Sequence, residues 1–306
     1  MAYHSGGASP KRSLVWFGRD GKRLDEAGQP ESYLRLRISP DGKRAVVSRT
    51  DGSNIDLWLL DFSRSAAMTR LTFDPKVDDY PVWSPDGRQV AFASDRSGII
   101  QLYRKDTGGT AREVQLTSGG NPKVPTDWSR DGKYLLYQEF DPKTGFDVWA
   151  LPLEGDHGGK PIPVAQSPFN ETDGFFSPDG KWIAYMSTES GRNEVYVQPF
   201  PPTGAKWMIS TQGGVQPKWR GDGKELFYLP GASDRIMAVN IRTAGGGIEY
   251  DAPHELFPVS TLPAIVSAYD VSADGQRFLV LQPPAGASPD QNALTVVLNW
   301  QAGLKK

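Results

Sequence analysis

The sequence of 306 residues contains no cysteine and three histidines. The missing cysteine excludes disulfide bonds, thiolate nucleophiles and cysteine-ligated zinc or iron–sulfur sites, and three histidines leave little material for imidazole-based metal sites. No segment approaches the roughly 18 uninterrupted apolar residues of a membrane-spanning helix. Lys and Arg number 34 against 36 Asp and Glu, so there is no basic excess to hold a nucleic-acid backbone. Any chemistry must therefore depend on carboxylates, hydroxyls, lysine or arginine.

Glycine and proline, by contrast, are abundant, at 33 and 25 residues. Many of them recur in a short motif ending in Asp-Gly, of which SPDG at 39–42 is an example. The motif occurs seven times, and its last six copies are spaced by 43 to 52 residues. A period of this length is the signature of a repeat architecture. The six repeat glycines are Gly42, Gly87, Gly132, Gly180, Gly223 and Gly275.

Each repeat has the same order of strand patterns. An apolar run leads into the Asp-Gly turn and a second apolar run leaves it, which is the pattern of a β-hairpin. A third strand and a short fourth strand follow, and four antiparallel strands in about 45 residues are typical of a propeller blade. We therefore predict an all-β fold, a six-bladed β-propeller that occupies the whole chain as a single domain, 1–306. The blades are expected at about 30–75, 76–120, 121–167, 168–212, 213–260 and 261–300.

One predicted strand, residues 13–17, lies outside the six repeats. The sixth repeat supplies strands near 269–271, 277–281 and 294–300 and has no pattern for a fourth. We therefore expect the N-terminal strand to close the ring in the last blade by pairing with residues 294–300, since a closed ring hides its sheet edges.

These motifs resemble a known family. The SPDG hairpins, the S-D-R-S-G segment at 94–98 and the D-[LV]-W strands look like TolB-type propeller repeats over about 13–300. A narrower resemblance, carried by the opening SLVWF and the closing LTVVLNWQAGLKK, is to the C-terminal propeller of bacterial receptor-type serine/threonine protein kinases. That resemblance implies a sensor or interaction module, outside the cytoplasm if derived from such a kinase. The kinase motifs and the G-x-S-x-G of propeller-bearing peptidases are absent from this sequence, and residues 1–12 lack the apolar run of a signal peptide.

The innermost strand of each blade should supply the lining of the axial channel. Because side chains alternate along a strand, positions five and seven residues before each repeat glycine are expected to face the axis. The first ring is Arg37, Val82, Asp127, Phe175, Lys218 and Asp270. The second ring, expected nearer the mouth, is Arg35, Tyr80, Pro125, Asp173, Gln216 and Ala268. Just outside it are expected Asp78, Asp79, Lys123 and Glu171.

The sequence leaves two functions open. The first is a non-catalytic module that binds a peptide, protein or small ligand at the channel mouth, through Arg35, Arg37, Tyr80, Lys123, Asp173 and Lys218. The second is a metal-assisted hydrolase of esters, lactones or phosphotriesters, with Ca²⁺ as the cofactor. Its candidate metal ligands are Asp79, Asp127, Glu171, Asp173 and Asp270, and its catalytic residues would be Asp127 and Asp270.

The alternation of basic and acidic residues in these rings favours ion pairs over a metal site. We expect no nucleic-acid partner, no insertion into a membrane and a monomeric protein.

Overall fold

The computed structural model describes residues 10–64, 67–108, 111–155, 157–231, 234–244, 246–261 and 268–284. Within these ranges the strands form six antiparallel sheets, and the first strand of each repeat packs beside its counterparts in the neighbouring sheets. The fold is a six-bladed β-propeller with four-stranded blades, as the repeats predict. The helical element in the described ranges is a 3-10 turn, Phe62–Arg64, and no described helix is long and apolar enough to cross a membrane.

The strand bounds follow the repeats. The first two strands, β1 (Ser13–Gly18) and β2 (Arg23–Glu26), belong to the last blade. Blade 1 contains β3 (Tyr33–Ile38), β4 (Arg44–Asp51), β5 (Asn54–Asp61) and β6 (Ala67–Arg70); blade 2 contains β7 (Asp78–Trp83), β8 (Gln89–Ser94), β9 (Gln101–Asp106) and β10 (Val114–Gln115). Blade 3 contains β11 (Lys123–Trp128), β12 (Tyr134–Asp141), β13 (Gly145–Glu154) and β15 (Ile162–Ala165), with β14 (His157–Gly158) on the end of β13. Blade 4 contains β16 (Glu171–Phe176), β17 (Trp182–Ser187), β18 (Glu194–Pro199) and β19 (Trp207–Met208). Blade 5 contains β20 (Val215–Trp219), β21 (Glu225–Leu229), β22 (Arg235–Ala244) and β24 (His254–Pro258), with β23 (Gly247–Tyr250) on the end of β22. Blade 6 is completed by β25 (Tyr269–Val271) and β26 (Arg277–Gln282).

The Asp-Gly motifs form the turns between the first and second strands. In the first, the Ser39 hydroxyl donates to Asp41 Oδ1 at 2.6 Å, and the backbone N–H of Lys43 donates to the same oxygen at 3.1 Å. Gly42 has a φ of 69°, which a residue with a side chain rarely adopts. In five of the six turns a serine donates to the aspartate in this way, and in the fifth turn Arg220 takes its place. The aspartates of these motifs are therefore turn formers.

The N-terminal strand closes the ring in the last blade, but the partner predicted for it is wrong. One edge of β1 pairs with β26, from Ser13 with Gln282 to Gly18 with Arg277. The other edge pairs with β2, which follows β1 through a tight turn. Both edges of β1 are thus occupied, and residues 294–300 lie outside the described residues. The last blade combines two strands from each end of the chain.

The core lies between the blades. Six clusters of buried apolar residues are present in the described part of the chain, and each is shared by two neighbouring sheets. Indole N–H groups add polar connections across these boundaries, since Trp83 donates to the Arg37 carbonyl at 3.0 Å and Trp219 to the Phe175 carbonyl at 3.3 Å. This packing fixes the innermost strands around the axis.

Candidate functional site

The innermost strands enclose a cavity of about 410 Å³ on the molecular axis. Its walls include the Asp-Gly turns of several blades, so it opens on the face that carries those turns; we call it the axial funnel. All six members of the first predicted ring line it, namely Arg37, Val82, Asp127, Phe175, Lys218 and Asp270. The structure therefore brings this ring together around one opening.

The floor of the funnel consists of Phe175 and two cations. The guanidinium carbon of Arg37 lies 4.8 Å from the centroid of the Phe175 ring, and Lys218 Nζ lies 3.9 Å from it. Arg37 extends from blade 1 across the channel, where its Nη2 donates to the Thr126 carbonyl of blade 3 at 3.3 Å. A cation above an aromatic ring is attracted to the ring electrostatically. The attraction is stronger when the pair is buried away from water.

Two of the funnel carboxylates, which we call the inter-blade carboxylates, join neighbouring blades. Asp127 Oδ2 accepts the backbone N–H of Phe176 in the next blade at 2.8 Å. Asp270 Oδ2 accepts the N–H of Ile38 in the next blade at the same distance. These bonds give both residues a structural role that accounts for their position without a catalytic one.

Burial shifts the ionisation of the groups at the funnel floor. It lowers the pKa of Lys218 to about 7, with repulsion from Arg37 adding to the effect and the Asp270 carboxylate, 3.7 Å away, opposing it. Burial also raises the pKa of Asp127 to about 6 and raises that of Asp173, which lies beyond the floor, toward the other end of the channel. A change of pH between 5 and 8 therefore changes the charge of the funnel floor.

The opposite end of the channel is narrow, although the sequence predicts the mouth there. The cavity between Arg35, Tyr80, Pro125 and Asp173 measures about 10 Å³. Arg35 forms an ion pair with Asp79, and its guanidinium carbon lies 3.6 Å from the centroid of the Tyr80 ring. These contacts close the end of the channel that was expected to be open.

A backbone irregularity accompanies this closure. Tyr80, Asp173 and Gln216 have φ angles of 57°, 54° and 54°, and the register of β7, β16 and β20 shifts at these points. A bulge of this kind re-aims the side chains beside it, so strict alternation does not hold along the whole inner strand.

The remaining predicted residues do not converge on the axis as a group. Lys123 Nζ donates to the carbonyls of Gly119 and Asn121, at 3.2 and 2.9 Å. Glu171 accepts the hydroxyls of Ser167 and Ser187, at 2.5 and 3.3 Å, and burial raises its pKa. Over the described ranges no three His, Cys, Asp or Glu side chains are grouped so that they could hold a metal ion. The arrangement of carboxylates that a Ca²⁺ site needs is therefore not assembled there.

The sequence reasoning missed the rim of the funnel. Trp83, Trp128 and Trp219 line its walls, and Arg130 and Arg277 lie at its edge. The sequence does contain a pattern that indicates these residues. Each tryptophan directly follows a residue of the first ring, and Arg130 lies inside an Asp-Gly turn. What alternation alone does not indicate is which end of the channel is wide.

Comparisons with known proteins agree with this architecture. Residues 34–158 match the family model of the TolB beta propeller domain. The uncharacterized protein Atu1656 of Agrobacterium fabrum is 36% identical over 206 residues, which span 63% of this chain and 68% of that protein. The structure of a protein of Agrobacterium tumefaciens described as a TolB superposes with a TM-score of 0.73 at 18% identity, covering 90% of this chain and 99% of that one.

Two longer relatives match only in part. The uncharacterized peptidase YuxL of Bacillus subtilis is 29% identical over 191 residues, 49% of this chain and 29% of YuxL. The Tol-Pal system protein TolB of Helicobacter pylori is 27% identical over 153 residues, 50% of this chain and 36% of that TolB. The matched segment thus spans about a third of the length of each.

Proposed function

The chain belongs to the family of TolB-like six-bladed β-propellers, and on this premise we propose that it is a protein-binding module that takes a short segment of its partner into the axial funnel. The observation that carries the proposal is the funnel itself, an open cavity of about 410 Å³ built from all six blades. Concave cavities of this size are the usual form of a binding site.

The composition of the rim supports a protein partner. Tryptophan and arginine are the side chains most enriched among residues that dominate protein–protein binding energies. The exposed Arg130 and Arg277 and the partly buried Trp219 line the funnel. Trp83 and Trp128 line it too, but they are only 6% and 8% exposed and belong to the inter-blade core. A segment entering the funnel would contact the two arginines and Trp219.

The hydrolase alternative is not favoured. Its two catalytic candidates, Asp127 and Asp270, accept backbone N–H groups of the neighbouring blades. The relative with a peptidase name extends well beyond the matched segment, so its name carries no activity over to this chain.

The kinase resemblance supports a finer form of the proposal. If the opening SLVWF and the closing LTVVLNWQAGLKK reflect a receptor-type kinase, the propeller is its sensor domain and acts outside the cytoplasm. Fractionation of cells that produce the natural protein would test this location, and recovery in the cytosol alone would overturn it.

Selection of peptides from a random display library tests the binding function. Ala273 is exposed at the funnel rim, so Ala273→Trp should obstruct the opening without disturbing the core. Ala205 is also exposed but does not line the funnel, and Ala205→Trp is the matched control. We expect selected peptides to lose at least tenfold in affinity, measured by fluorescence anisotropy, with the first variant and to bind the second normally. Equal binding to both variants, or the absence of any selected peptide, would contradict the proposal.

A further inference from the structure

Two hydrogen-bond donors at the funnel floor lack acceptors. Lys218 is 4% exposed and lines the funnel, and its Nζ has no hydrogen-bond partner among the described residues. Arg37 Nη1 is buried and lacks a partner in the same part of the chain, whereas its Nη2 donates to the Thr126 carbonyl. A buried donor without an acceptor is unfavourable, so this pair of cations is suited to receive an acceptor from outside.

The carboxylates nearby do not fill this need. Asp127 and Asp270 each direct one oxygen to a backbone N–H of the neighbouring blade, and Asp270 Oδ1 stays 3.7 Å from Lys218 Nζ, beyond normal hydrogen-bond length. Asp173 lines the small cavity at the narrow end and not the funnel. At the floor, Lys218 Nζ and Arg37 Nη1 are therefore donors without an acceptor in the ranges that the structure describes. A ligand that binds there should supply a hydrogen-bond acceptor.

The path to the floor has walls that include apolar side chains and a rim on which the charges balance. Val82 and the tryptophans Trp83, Trp128 and Trp219 line the walls, and Phe175 forms the base between the two cations. At the rim, Asp41 and Asp274 accept hydrogen bonds from the serines of their own turns, which lower their pKa and keep both carboxylates negatively charged. Arg130 and Arg277, both exposed, balance these two negative charges at the rim.

We propose that the floor of the axial funnel is a carboxylate subsite, in which Lys218 Nζ and Arg37 Nη1 bind a carboxylate of the protein partner. The carboxylate belongs either to the C-terminus of the partner or to one of its Asp or Glu side chains, since both offer the same two oxygens. A charge-assisted pair of this kind fixes the orientation of the inserted segment. This inference rests on the proposed binding function and specifies the chemistry recognised there.

Three small probes test the subsite on the intact protein. N-acetyl-Gly-Gly carries a terminal carboxylate, N-acetyl-Gly-Gly-amide carries none, and N-acetyl-Glu-amide carries a side-chain carboxylate only. In NMR titrations at pH 6 we expect at least one acid to bind at least tenfold more tightly than the neutral amide. The stronger of the two acids identifies the source of the carboxylate. Equal affinity for all three probes, or no binding of either acid, would overturn the subsite without requiring any variant.

Two lysine variants locate the site. Lys218→Met removes the charge but keeps the apolar stem, and we expect it to reduce the affinity of the preferred acid at least tenfold. Lys224→Met is the matched control, because Lys224 is exposed in the turn of the same blade and does not line the funnel. It should change the affinity less than twofold. Equal losses in both variants would place the carboxylate elsewhere.

The two proposals fail in different ways. If display peptides are blocked by Ala273→Trp but show no preference for acidic groups, and bind Lys218→Met normally, the funnel is a binding site without the carboxylate subsite. If Ala273→Trp blocks nothing, the funnel is not the binding site, whatever the small probes do.

Discussion

At the scale of single residues, the funnel floor buries two basic side chains, Lys218 and Arg37, close to several carboxylates. The carboxylates of Asp127, Asp173 and Asp270 attract the protonated Lys218, but burial and repulsion from Arg37 outweigh this attraction. Its pKa falls to about 7, far below the ordinary value of lysine. A buried lysine of this kind exchanges its proton near neutral pH, which makes stability and binding depend on pH.

This shift predicts a specific pH dependence of stability. Between about pH 7 and the usual lysine pKa, the unfolded chain holds a proton at residue 218 that the folded protein does not, so stability must rise with pH. We expect the free energy of unfolding to gain about 2 kcal/mol from pH 7 to pH 9 through this residue. Urea denaturation at both pH values should show this gain in the native protein and in Lys224→Met, and not in Lys218→Met. Identical pH slopes in all three proteins would show that Lys218 does not titrate in this range.

At the scale of elements, the last blade depends on both ends of the chain. β1 lies between β26 and β2, and its apolar residues belong to the clusters on both sides of the sheet. Leu14 and Leu24 belong to this N-terminal pair of strands but differ in burial, at 1% and 50% exposed. The first side chain contributes to ring closure, whereas the second lies at the surface.

A pair of matched substitutions tests the closure. Leu14→Asp buries a charge without a partner, which costs ~3–5 kcal/mol or more, a large part of the usual stability of a domain. We expect the melting temperature to fall by roughly 10 °C or the protein to become insoluble. Leu24→Asp should leave the melting temperature within about 2 °C of the native protein, since surface substitutions change little. A small effect of Leu14→Asp, seen by circular dichroism, would mean that β1 does not contribute to closure.

The same blade shows how far the sequence predicts the fold. The repeat spacing predicts the six blades and the closing role of residues 13–17, because hairpin turns and alternation are local properties. The pairing with β2 could not be predicted, since β2, with the sequence RLDE, contains a single apolar residue and no alternation of apolar residues. The first ring of the channel follows from alternation, but the bulges at Tyr80 and Asp173 and the width of each end depend on tertiary packing.

At the scale of the whole molecule, the acidic residues are distributed around the ring instead of gathered at one point. Asp79 pairs with Arg35, Asp78 with Arg96 at 2.6 Å, and Asp270 lies near Lys218. Each of these three carboxylates lies near a cation of the same or the neighbouring blade, whereas Glu171 accepts the hydroxyls of two serines. A divalent cation on the axis would have to compete with these partners and draw the carboxylates out of the blade contacts.

This distribution predicts how the protein responds to calcium. A ligand that binds only the folded state raises its stability, by about 2.7 kcal/mol when present at 100 times its dissociation constant. Because no described group of three acidic side chains is placed to hold a metal, we expect 5 mM Ca²⁺ to shift the melting temperature by no more than the same concentration of Mg²⁺ does. Differential scanning calorimetry of the protein after dialysis against chelator gives the comparison. A rise of several degrees specific to Ca²⁺, reduced in Asp127→Asn, would instead restore the axial metal site and with it the case for a metal-assisted reaction.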